Sequence, residues 1–205
     1  MIITALLKDI RFITSSPNYH SLPLSTGAEA AFAGRSNAGK SSVLNTLTNR
    51  KALAKTSSTP GKTRHINLFA LDKEKSIRLA DLPGYGYAKV NVREQQRWGE
   101  ELTLYITERE SLKGVVIVMD IRHPLTENDK QMVVLCRTGG RPVHVLLNKA
   151  DKLKSGRRAA TVKQVEKDLA YLSPGATYST FSALKGEGIK ELRDVLNRWL
   201  NGSED

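Results

Sequence analysis

The feature that most constrains the fold is a glycine-rich octapeptide, Gly34-Arg35-Ser36-Asn37-Ala38-Gly39-Lys40-Ser41. It matches the pattern G-x-x-x-x-G-K-[ST] and lies between an apolar run of strand length, 28–33, and a helical spacing of apolar residues. Glycine lets a backbone wrap closely around an anion, and the first turn of a helix presents free N–H groups and a positive dipole end. The octapeptide therefore predicts a phosphate-binding strand–loop–helix unit.

Beyond this loop, short apolar runs alternate with helical spacings. The further strand-like runs lie at 65–71, 76–81, 115–120 and 142–148. The helical spacings lie at 93–108, 125–137, 157–171 and 187–200. The last two strand runs are apolar throughout, which is typical of strands covered on both faces, and the first two can form a hairpin. We predict an α/β fold with a mostly parallel central sheet, helices on both faces and one antiparallel edge strand.

The length of 205 residues favours a single domain. Turn-forming residues near the start predict an irregular N-terminal arm, 1–27, packed on a nucleotide-binding domain, 28–200, with a polar tail at 201–205. The single cysteine, Cys136, excludes an intrachain disulfide and suits a reducing compartment. The longest strongly apolar run, 115–119, is too short to cross a membrane, and the start lacks a signal-peptide pattern. We expect a cytoplasmic protein.

The last residues of the octapeptide have the chemistry for phosphate and metal. Lys40 can reach the β- and γ-phosphates of a nucleoside triphosphate, and the Ser41 hydroxyl can ligate Mg²⁺. A chance glycine-rich turn is the alternative, which the flanking strand and helix patterns disfavour. The loop by itself predicts a nucleoside triphosphate and leaves its base open.

The base is addressed by Asn148-Lys149-Ala150-Asp151, which follow a strand run and so lie where ligands bind in parallel sheets. The carboxylate of Asp151 can accept two hydrogen bonds from guanine, N1–H and the 2-amino group, a pair of donors that adenine lacks. Asn148 would hold the loop together and approach N7, and the stem of Lys149 would lie along the base. A charged turn after a strand explains the tetrapeptide alone equally well, but its place behind a phosphate loop favours guanine.

A third motif, Asp81-Leu82-Pro83-Gly84, fits the D-x-x-G switch pattern. Asp81 would hold Mg²⁺ through a water, and the N–H of Gly84 would sense the γ-phosphate. A turn capped by the aspartate is the alternative. Phe181-Ser182-Ala183 resemble the element whose backbone N–H meets guanine O6, although Leu184 follows where a lysine is usual.

The polar segment 57–63 has no periodicity and is interpreted as a mobile loop that supplies a second Mg²⁺ ligand, with a plain surface loop as the alternative. Thr63 is our choice because it directly precedes a strand, and Thr59 is its rival. The nucleotide-binding candidates in this region are Gly61, Lys62, Thr63, Arg64 and His65. The candidates for a direct part in catalysis are Lys40, Thr63 and Gly84.

Together these motifs resemble the EngB family of bacterial ribosome-assembly GTPases, within the translation-factor-type GTPases. The resemblance runs from about residue 28 to residue 200 and is carried by the octapeptide with Ser42, by 59–63, by 81–88 and by 119–124. It implies a P-loop GTPase fold, a GTP-binding domain at 28–200, Mg²⁺-dependent binding of GTP and GDP, and slow intrinsic hydrolysis. It further implies a role in maturing the large ribosomal subunit, with a link to cell division and septation.

Hydrolysis lacks one usual group, because Tyr85 follows Gly84 where some GTPases place a glutamine that orients water. We expect slow turnover that a partner or an ion accelerates. Asn37 stands where certain P-loop GTPases use asparagine to hold K⁺, and a role in stabilising the loop is the alternative. Tyr85-Gly86-Tyr87 could expose aromatic faces to RNA bases, or one tyrosine could pack in the core.

The charge balance, 32 Lys and Arg against 21 Asp and Glu, gives a net charge of +11 and favours an anionic partner. Basic residues surround the motifs at Lys51, Lys55, Lys62, Arg64, Lys149, Lys152, Lys154, Arg157, Arg158, Lys163 and Lys167. We expect a monomer that binds the large ribosomal subunit or its precursor, and His123 is read as structural or RNA-facing. A solvated helix face explains the group at 157–167 equally well. The alternatives are a metabolic P-loop kinase, a constitutive rRNA-binding protein and a tRNA-related or signalling GTPase.

Overall fold

The computed structural model describes residues 2–50, 53, 65–86 and 92–201. Within these ranges, a seven-stranded sheet contains β1 (Arg11–Ser16), β2 (Ala28–Gly34), β3 (Ile66–Ala70), β4 (Ile77–Asp81), β5 (Leu112–Asp120), β6 (Val143–Asn148) and β7 (Thr177–Thr180). The helices are α1 (Ile2–Leu6), α2 (Lys40–Thr48), α3 (Val92–Glu108), α4 (Glu127–Thr138), α5 (Ser155–Leu172) and α6 (Ile189–Leu200). No helix in the described part of the chain is both long and apolar enough to cross a membrane.

The strand order is β1-β3-β4-β2-β5-β6-β7. Strands β4, β2, β5, β6 and β7 pair in parallel, and β3 runs antiparallel to both of its neighbours. The predicted α/β fold with a mostly parallel sheet is confirmed. The antiparallel strand lies one place inside the edge, because β1 from the N-terminal arm pairs with its outer side.

The expectation that residues 1–27 are irregular is wrong. They contain α1 and β1, and they bury Ile3, Leu7 and Ile10. Buried and exposed residues do not alternate regularly along β1, and even Phe12 is 59% exposed. The hydropathy pattern of this segment therefore gives little indication of a strand. Its extended shape is stabilised by hydrogen bonds to β3, which lies about fifty residues further along the chain.

Helices cover both faces of the sheet, because successive strand residues point to opposite sides. On one face, Ala31, Ala33 and alternate residues of β5 and β6 pack against α3, α4 and α5. On the other face, Ala30 and Phe32 pack against α1, α2 and α6. The continuous apolar runs of the central strands therefore have a direct cause, since neither face of these strands meets water.

The amino end of the sheet is closed by a buried polar cluster around Glu29. Its carboxylate accepts hydrogen bonds from Tyr105 Oη at 2.8 Å, Ser111 Oγ at 2.8 Å and Arg109 Nη2 at 2.6 Å. Arg78 Nε lies 3.4 Å from the same carboxylate. Arg109 and Arg78 also donate to backbone carbonyls of 23–26, which connects the N-terminal arm to the sheet. We call the five side chains the Glu29 cluster: Glu29, Arg78, Tyr105, Arg109 and Ser111.

Candidate functional site

The predicted motifs meet at the opposite, carboxyl end of the sheet. β2 ends at Gly34 and leads into the octapeptide, β4 ends at Asp81, and β6 ends at Asn148. These strands run in the same direction, so the loops that follow them share one edge. The structure therefore brings the phosphate, switch and base motifs together.

The glycines of the octapeptide are required by close approaches. A Cβ on Gly34 would lie 2.7 Å from the carbonyl oxygen of Val118. Gly39 has φ of +94°, and a Cβ there would lie 2.4 Å from Asn148 Nδ2. Asn37 is exposed and also has a positive φ, 65°, which asparagine tolerates better than most residues.

Helix α2 begins at Lys40, directly after this loop, and its apolar residues Val43, Leu44 and Leu47 are buried as the spacing predicts. Its N-cap is Gly39, which offers no side chain to the first turn. The N–H groups of a first turn have no partner within their own helix, and they carry the positive end of its dipole. The side chain of Ser41 lies at this helix end, where a hydroxyl can face a metal ion bound to phosphate.

Lys40 and Asp81 form a buried ion pair across the two phosphate-side motifs. Lys40 Nζ contacts Asp81 Oδ1, and the two residues are 8% and 3% exposed. The position of Asp81 is fixed by the next residue, because Leu82 N donates to Phe32 O at 2.9 Å. A bound phosphate can replace Asp81 as the partner of the ammonium group, and a hydrated cation can replace Lys40 as the partner of the carboxylate.

Tyr85 packs against the core, which is one of the two interpretations of 85–87. Its hydroxyl donates to Asp129 Oδ1 at 2.9 Å, and burial together with the negative charge of Asp129 raises the pKa of Tyr85 well above its ordinary value. The structure does not describe Tyr87. Gly84 is half-buried beside Pro83, directly before this anchored tyrosine.

On the base side, the side chain of Asn148 is buried and spans two loops. Its Nδ2 donates to Ala38 O at 3.0 Å, while its buried Oδ1 has no hydrogen-bond partner among the described residues. Lys149 has φ of 63°, donates from Nζ to Asn37 O at 2.7 Å and lies 3.0 Å from Asp120 Oδ2. Both residues therefore fasten the base motif to the phosphate loop.

Asp151 is held by Ser182 from the loop after β7. Ser182 Oγ donates to Asp151 Oδ1 at 2.6 Å, and this hydrogen bond outweighs the effect of burial and lowers the pKa of Asp151. Ala150 N donates to Phe181 O at 3.0 Å, and Ala183 O accepts from Thr46 Oγ1 at 3.3 Å. The structure thus brings 181–183 against the base motif and leaves Asp151 ionised with one oxygen fixed.

Two aspartates that our residue assignments left out support this site, Asp120 and Asp129. Asp120 ends β5 and accepts from Arg122 Nη2 at 2.7 Å. Burial raises the pKa of Asp120, but the hydrogen bonds from Arg122 and Lys149 outweigh burial and hold it below its ordinary value. A carboxylate directly after the apolar run 115–119 was the available signal for Asp120, whereas Tyr85 and Arg35, which Asp129 contacts, come from distant segments.

Several predicted residues lie outside the described part of the chain. These are Gly61, Lys62, Thr63 and Arg64, the rival Thr59, the basic residues Lys51 and Lys55, and residues 202–205 of the tail. His65 is described, and its Nδ1 lies 3.1 Å from Ser15 Oγ of β1 in a hydrogen bond. His123 is exposed.

The basic group after the base motif is mostly solvent-facing. Lys152, Lys154, Arg157, Lys163 and Lys167 are exposed. Arg158 is only half-exposed, because its Nη1 pairs with Glu187 Oε2 at 3.3 Å and its Nη2 donates to Thr180 Oγ1 at 2.9 Å. Lys152 Nζ also lies 3.6 Å from Asp151 Oδ2, although its side chain is exposed. Arg158 is therefore held within the fold, while the other five side chains are accessible.

Comparisons with known proteins agree with this geometry. A family model described as "50S ribosome-binding GTPase" matches residues 29–149, and one described as "Elongation factor Tu GTP binding domain" matches residues 103–201. A probable GTP-binding protein EngB from Sodalis glossinidius (strain morsitans) is 52% identical over 188 residues, which are 92% of this chain and 88% of that relative.

A second probable GTP-binding protein EngB, from Edwardsiella ictaluri (strain 93-146), is 50% identical over 190 residues, which are 93% of this chain and 87% of that relative. The crystal structure of a probable GTP-binding protein engB superposes with a TM-score of 0.67 at 24% identity, over 86% of this chain and 100% of that chain. The first family model covers more than half of the chain, and both relatives align over most of their length. The chain therefore belongs to the EngB family of GTP-binding proteins, within the P-loop GTPases.

Proposed function

We propose that this GTPase is a Mg²⁺-dependent switch in the assembly of the large ribosomal subunit, with slow intrinsic hydrolysis of GTP to GDP and phosphate. The observation that carries the proposal is the convergence, at one sheet edge, of the Lys40–Asp81 pair with the Asn148–Asp151 loop. The family description, a 50S ribosome-binding GTPase, supports the choice of partner.

Each residue of the phosphate and switch motifs has a proposed role. Lys40 holds oxygens of the β- and γ-phosphates, the N–H groups of the loop and of the first turn of α2 surround the β-phosphate, and the N–H of Gly84 donates to the γ-phosphate. The donor set fits Mg²⁺, because the Ser41 hydroxyl and the Asp81 carboxylate are hard oxygen ligands that can act directly and through water. When bound, Mg²⁺ neutralises negative charge on the phosphates. Thr63 is the proposed second ligand.

The base side selects guanine. Oδ2 of Asp151, which lies 3.6 Å from the ammonium group of the exposed Lys152, is the proposed acceptor for N1–H and the 2-amino group, while Ser182 keeps Oδ1 fixed. The partnerless Oδ1 of the buried Asn148 is a further acceptor at the same loop. Within 181–183 the backbone N–H of Ala183 is the proposed donor to O6, because Phe181 N donates to Leu147 O at 2.9 Å and Ser182 N donates to Glu187 O at 3.1 Å.

Slow hydrolysis is supported by the state of Tyr85. Its hydroxyl is already committed to Asp129, and its raised pKa means that it stays protonated and supplies no base to an attacking water. We propose that ribosomal particles or K⁺ complete the site. Asn37 is the proposed K⁺ contact, although its positive φ already gives a reason for asparagine at this position.

The partner proposal rests on charge as well as on the family. A net charge of +11 and the exposed lysines and arginine of 152–167 suit the phosphates of rRNA. We propose that the protein acts in the cytoplasm as a monomer, and that the link of the family to cell division and septation follows from ribosome supply.

Co-sedimentation with purified large subunits tests this function, at about 0.15 M salt because phosphate contacts depend steeply on ionic strength. We expect binding with a non-hydrolysable GTP analogue and little binding with GDP. Lys40→Ala should abolish the difference, whereas Lys113→Ala, an exposed lysine on β5, should preserve it. Equal binding with both nucleotides would reject the switch, and binding to free tRNA in place of the subunit would point to a tRNA-related GTPase.

A further inference from the structure

Asp129 lies at the start of α4 and is completely buried. One of its carboxylate oxygens, Oδ2, accepts from Thr126 N at 3.0 Å and from Thr126 Oγ1 at 2.7 Å, which closes the capping box of the helix. The other oxygen, Oδ1, accepts from the Tyr85 hydroxyl at 2.9 Å. A single side chain therefore joins the helix end to the segment after the D-x-x-G motif.

The burial of Asp129 exceeds what a helix cap needs. A capping carboxylate normally lies at the surface, because burying a charge costs free energy unless a partner offsets it. Here the nearby cation is Arg35 of the octapeptide, whose Nε lies 3.5 Å from Oδ2. The carboxylate thus faces both the phosphate loop and the switch segment.

Tyr85 is bound to the octapeptide through its backbone as well. Tyr85 N donates to Gly34 O at 3.4 Å, and Ser36 N donates to Tyr85 O at 3.3 Å, so Arg35 and Tyr85 form a short parallel bridge. The next residue, Gly86, has φ of +77°, and a Cβ there would lie 2.7 Å from Asn128 Nδ2 at the start of α4. Residues 85–86 therefore pack against the start of α4.

We propose that Asp129 is a positioning residue for recognition of the γ-phosphate. It acts through the Tyr85 hydroxyl and the Arg35 guanidinium to fix the peptide that follows Gly84 against the phosphate loop. Gly84 is directly bonded to Tyr85, so anchoring the tyrosine restricts the direction in which the Gly84 N–H points. The inference rests on the proposed contact between that N–H and the γ-phosphate, and GDP lacks this phosphate.

Tyr85→Phe is the sharpest test, because it keeps the packed ring and removes only the hydroxyl. We expect the affinity for a non-hydrolysable GTP analogue to fall about tenfold, while the affinity for GDP changes less than about twofold. Asp129→Asn should give the same selective loss, because an amide oxygen can still cap α4 but carries no charge for Arg35. The double variant should lose no more than Asp129→Asn alone, since both changes break one connection.

Thr126→Ala is the matched control. It removes a capping hydroxyl from the same helix end without touching Tyr85, so it should lower the thermal midpoint and leave the ratio of the two affinities unchanged. If Tyr85→Phe and Asp129→Asn leave that ratio unchanged, or lower both affinities equally, Asp129 is only a cap. If the unaltered protein binds no guanine nucleotide, the proposed function fails and this inference fails with it.

Discussion

The two ends of the sheet both bury charged side chains, but they neutralise these charges differently. At the amino end, the Glu29 carboxylate has its cations and hydroxyls in fixed contact, and the contacts also bind the N-terminal arm. At the carboxyl end, Lys40 faces Asp81, and Lys149 faces both Asp120 and the phosphate loop. The charges of the first arrangement are paired within the fold, although Arg78 Nε has no hydrogen-bond partner among the described residues, whereas the second consists of partners that phosphate, metal and base can replace.

This difference separates stability from binding. Removing one member of a buried ion pair that is formed within the fold leaves an uncompensated charge. This destabilises the fold whether or not a ligand is bound. Removing a group whose final partner is a ligand costs binding free energy and changes folding less. Substitutions at the amino end should therefore move unfolding curves, and substitutions at the carboxyl end should move binding curves.

The largest effect should come from Asp151→Asn on the base side. The amide presents a donor where guanine also presents donors, so two hydrogen bonds to a charged group are lost. We expect about 4 kcal/mol, on the order of a thousandfold in affinity, for GTP and GDP alike. Xanthosine nucleotides should bind better to this variant, because xanthine carries a carbonyl oxygen at C2. Isothermal titration with both pairs of nucleotides measures this exchange.

The control for Asp151→Asn is Asp194→Asn, which removes an exposed carboxylate from α6. It should leave all affinities unchanged. The unfolding curve of Asp151→Asn should stay close to that of the unaltered protein, since an asparagine oxygen can still accept from Ser182. A variant that keeps its preference for guanine would show that another residue selects the base.

At the amino end, Glu29→Gln keeps the shape of the side chain and removes its charge. Arg78 and Arg109 would then be buried without a counterion, so we expect the free energy of unfolding to fall by about 3 kcal/mol. Denaturant unfolding measures this loss. Nucleotide affinity, measured where the variant is still folded, should be unchanged.

Glu110→Gln is the control for this change, because Glu110 is exposed and one residue from Arg109. It should leave both stability and binding within about 0.5 kcal/mol. A loss of nucleotide affinity in Glu29→Gln at normal stability would contradict the separation of the two ends.

The sequence was sufficient for those parts of the fold and site that are encoded locally. Continuous apolar runs predicted the central strands, and each motif follows such a run, so its position at the carboxyl edge could be predicted from 28–34 and 143–151 alone. The roles of individual residues stay predictions. Strand β1 and the Tyr85–Asp129 and Asp120–Lys149 contacts could not be predicted, because each depends on a partner from a distant part of the chain.

A third way to manage a buried ionisable group is to keep it neutral, as His144 of β6 shows. Its ring nitrogens lie 2.8 Å from Thr177 Oγ1 and 2.9 Å from Ser179 Oγ. Burial, with a smaller contribution from the charge of Arg198, lowers the pKa of His144 from 6.5 to about 4. Between these values the unfolded chain binds more protons, so the free energy of unfolding falls as the pH falls.

We expect this histidine to contribute a loss of about 2 kcal/mol between about pH 7 and pH 5. His144→Gln should flatten that part of the pH profile, whatever its stability at pH 7, and His20→Gln, an exposed histidine, should not. Urea unfolding at a series of pH values measures the slopes. Equal slopes for all three proteins would mean that His144 binds a proton as readily in the folded state as in the unfolded state.

The smallest effect, and the one that best divides the carboxyl end itself, is expected from Asp120→Asn. Lys149 would lose the negative charge that its ammonium group faces, so we expect affinities for GTP and GDP to fall together by about 1 kcal/mol. Arg122→Ala removes the other cation that pairs with Asp120. The side chain of Arg122 is 45% exposed, so this change should have almost no effect on either affinity. The ratio of GTP to GDP affinity shows whether Asp120 acts on the base side alone. Stopped-flow measurement of both association and release of fluorescent nucleotides gives this ratio. If the ratio of GTP to GDP affinity is unchanged in Asp120→Asn but changed in Asp129→Asn, then Asp120 supports binding of the base and Asp129 supports binding of the γ-phosphate. If the ratio changes in both variants, the base side and the phosphate side of the site are coupled through the octapeptide.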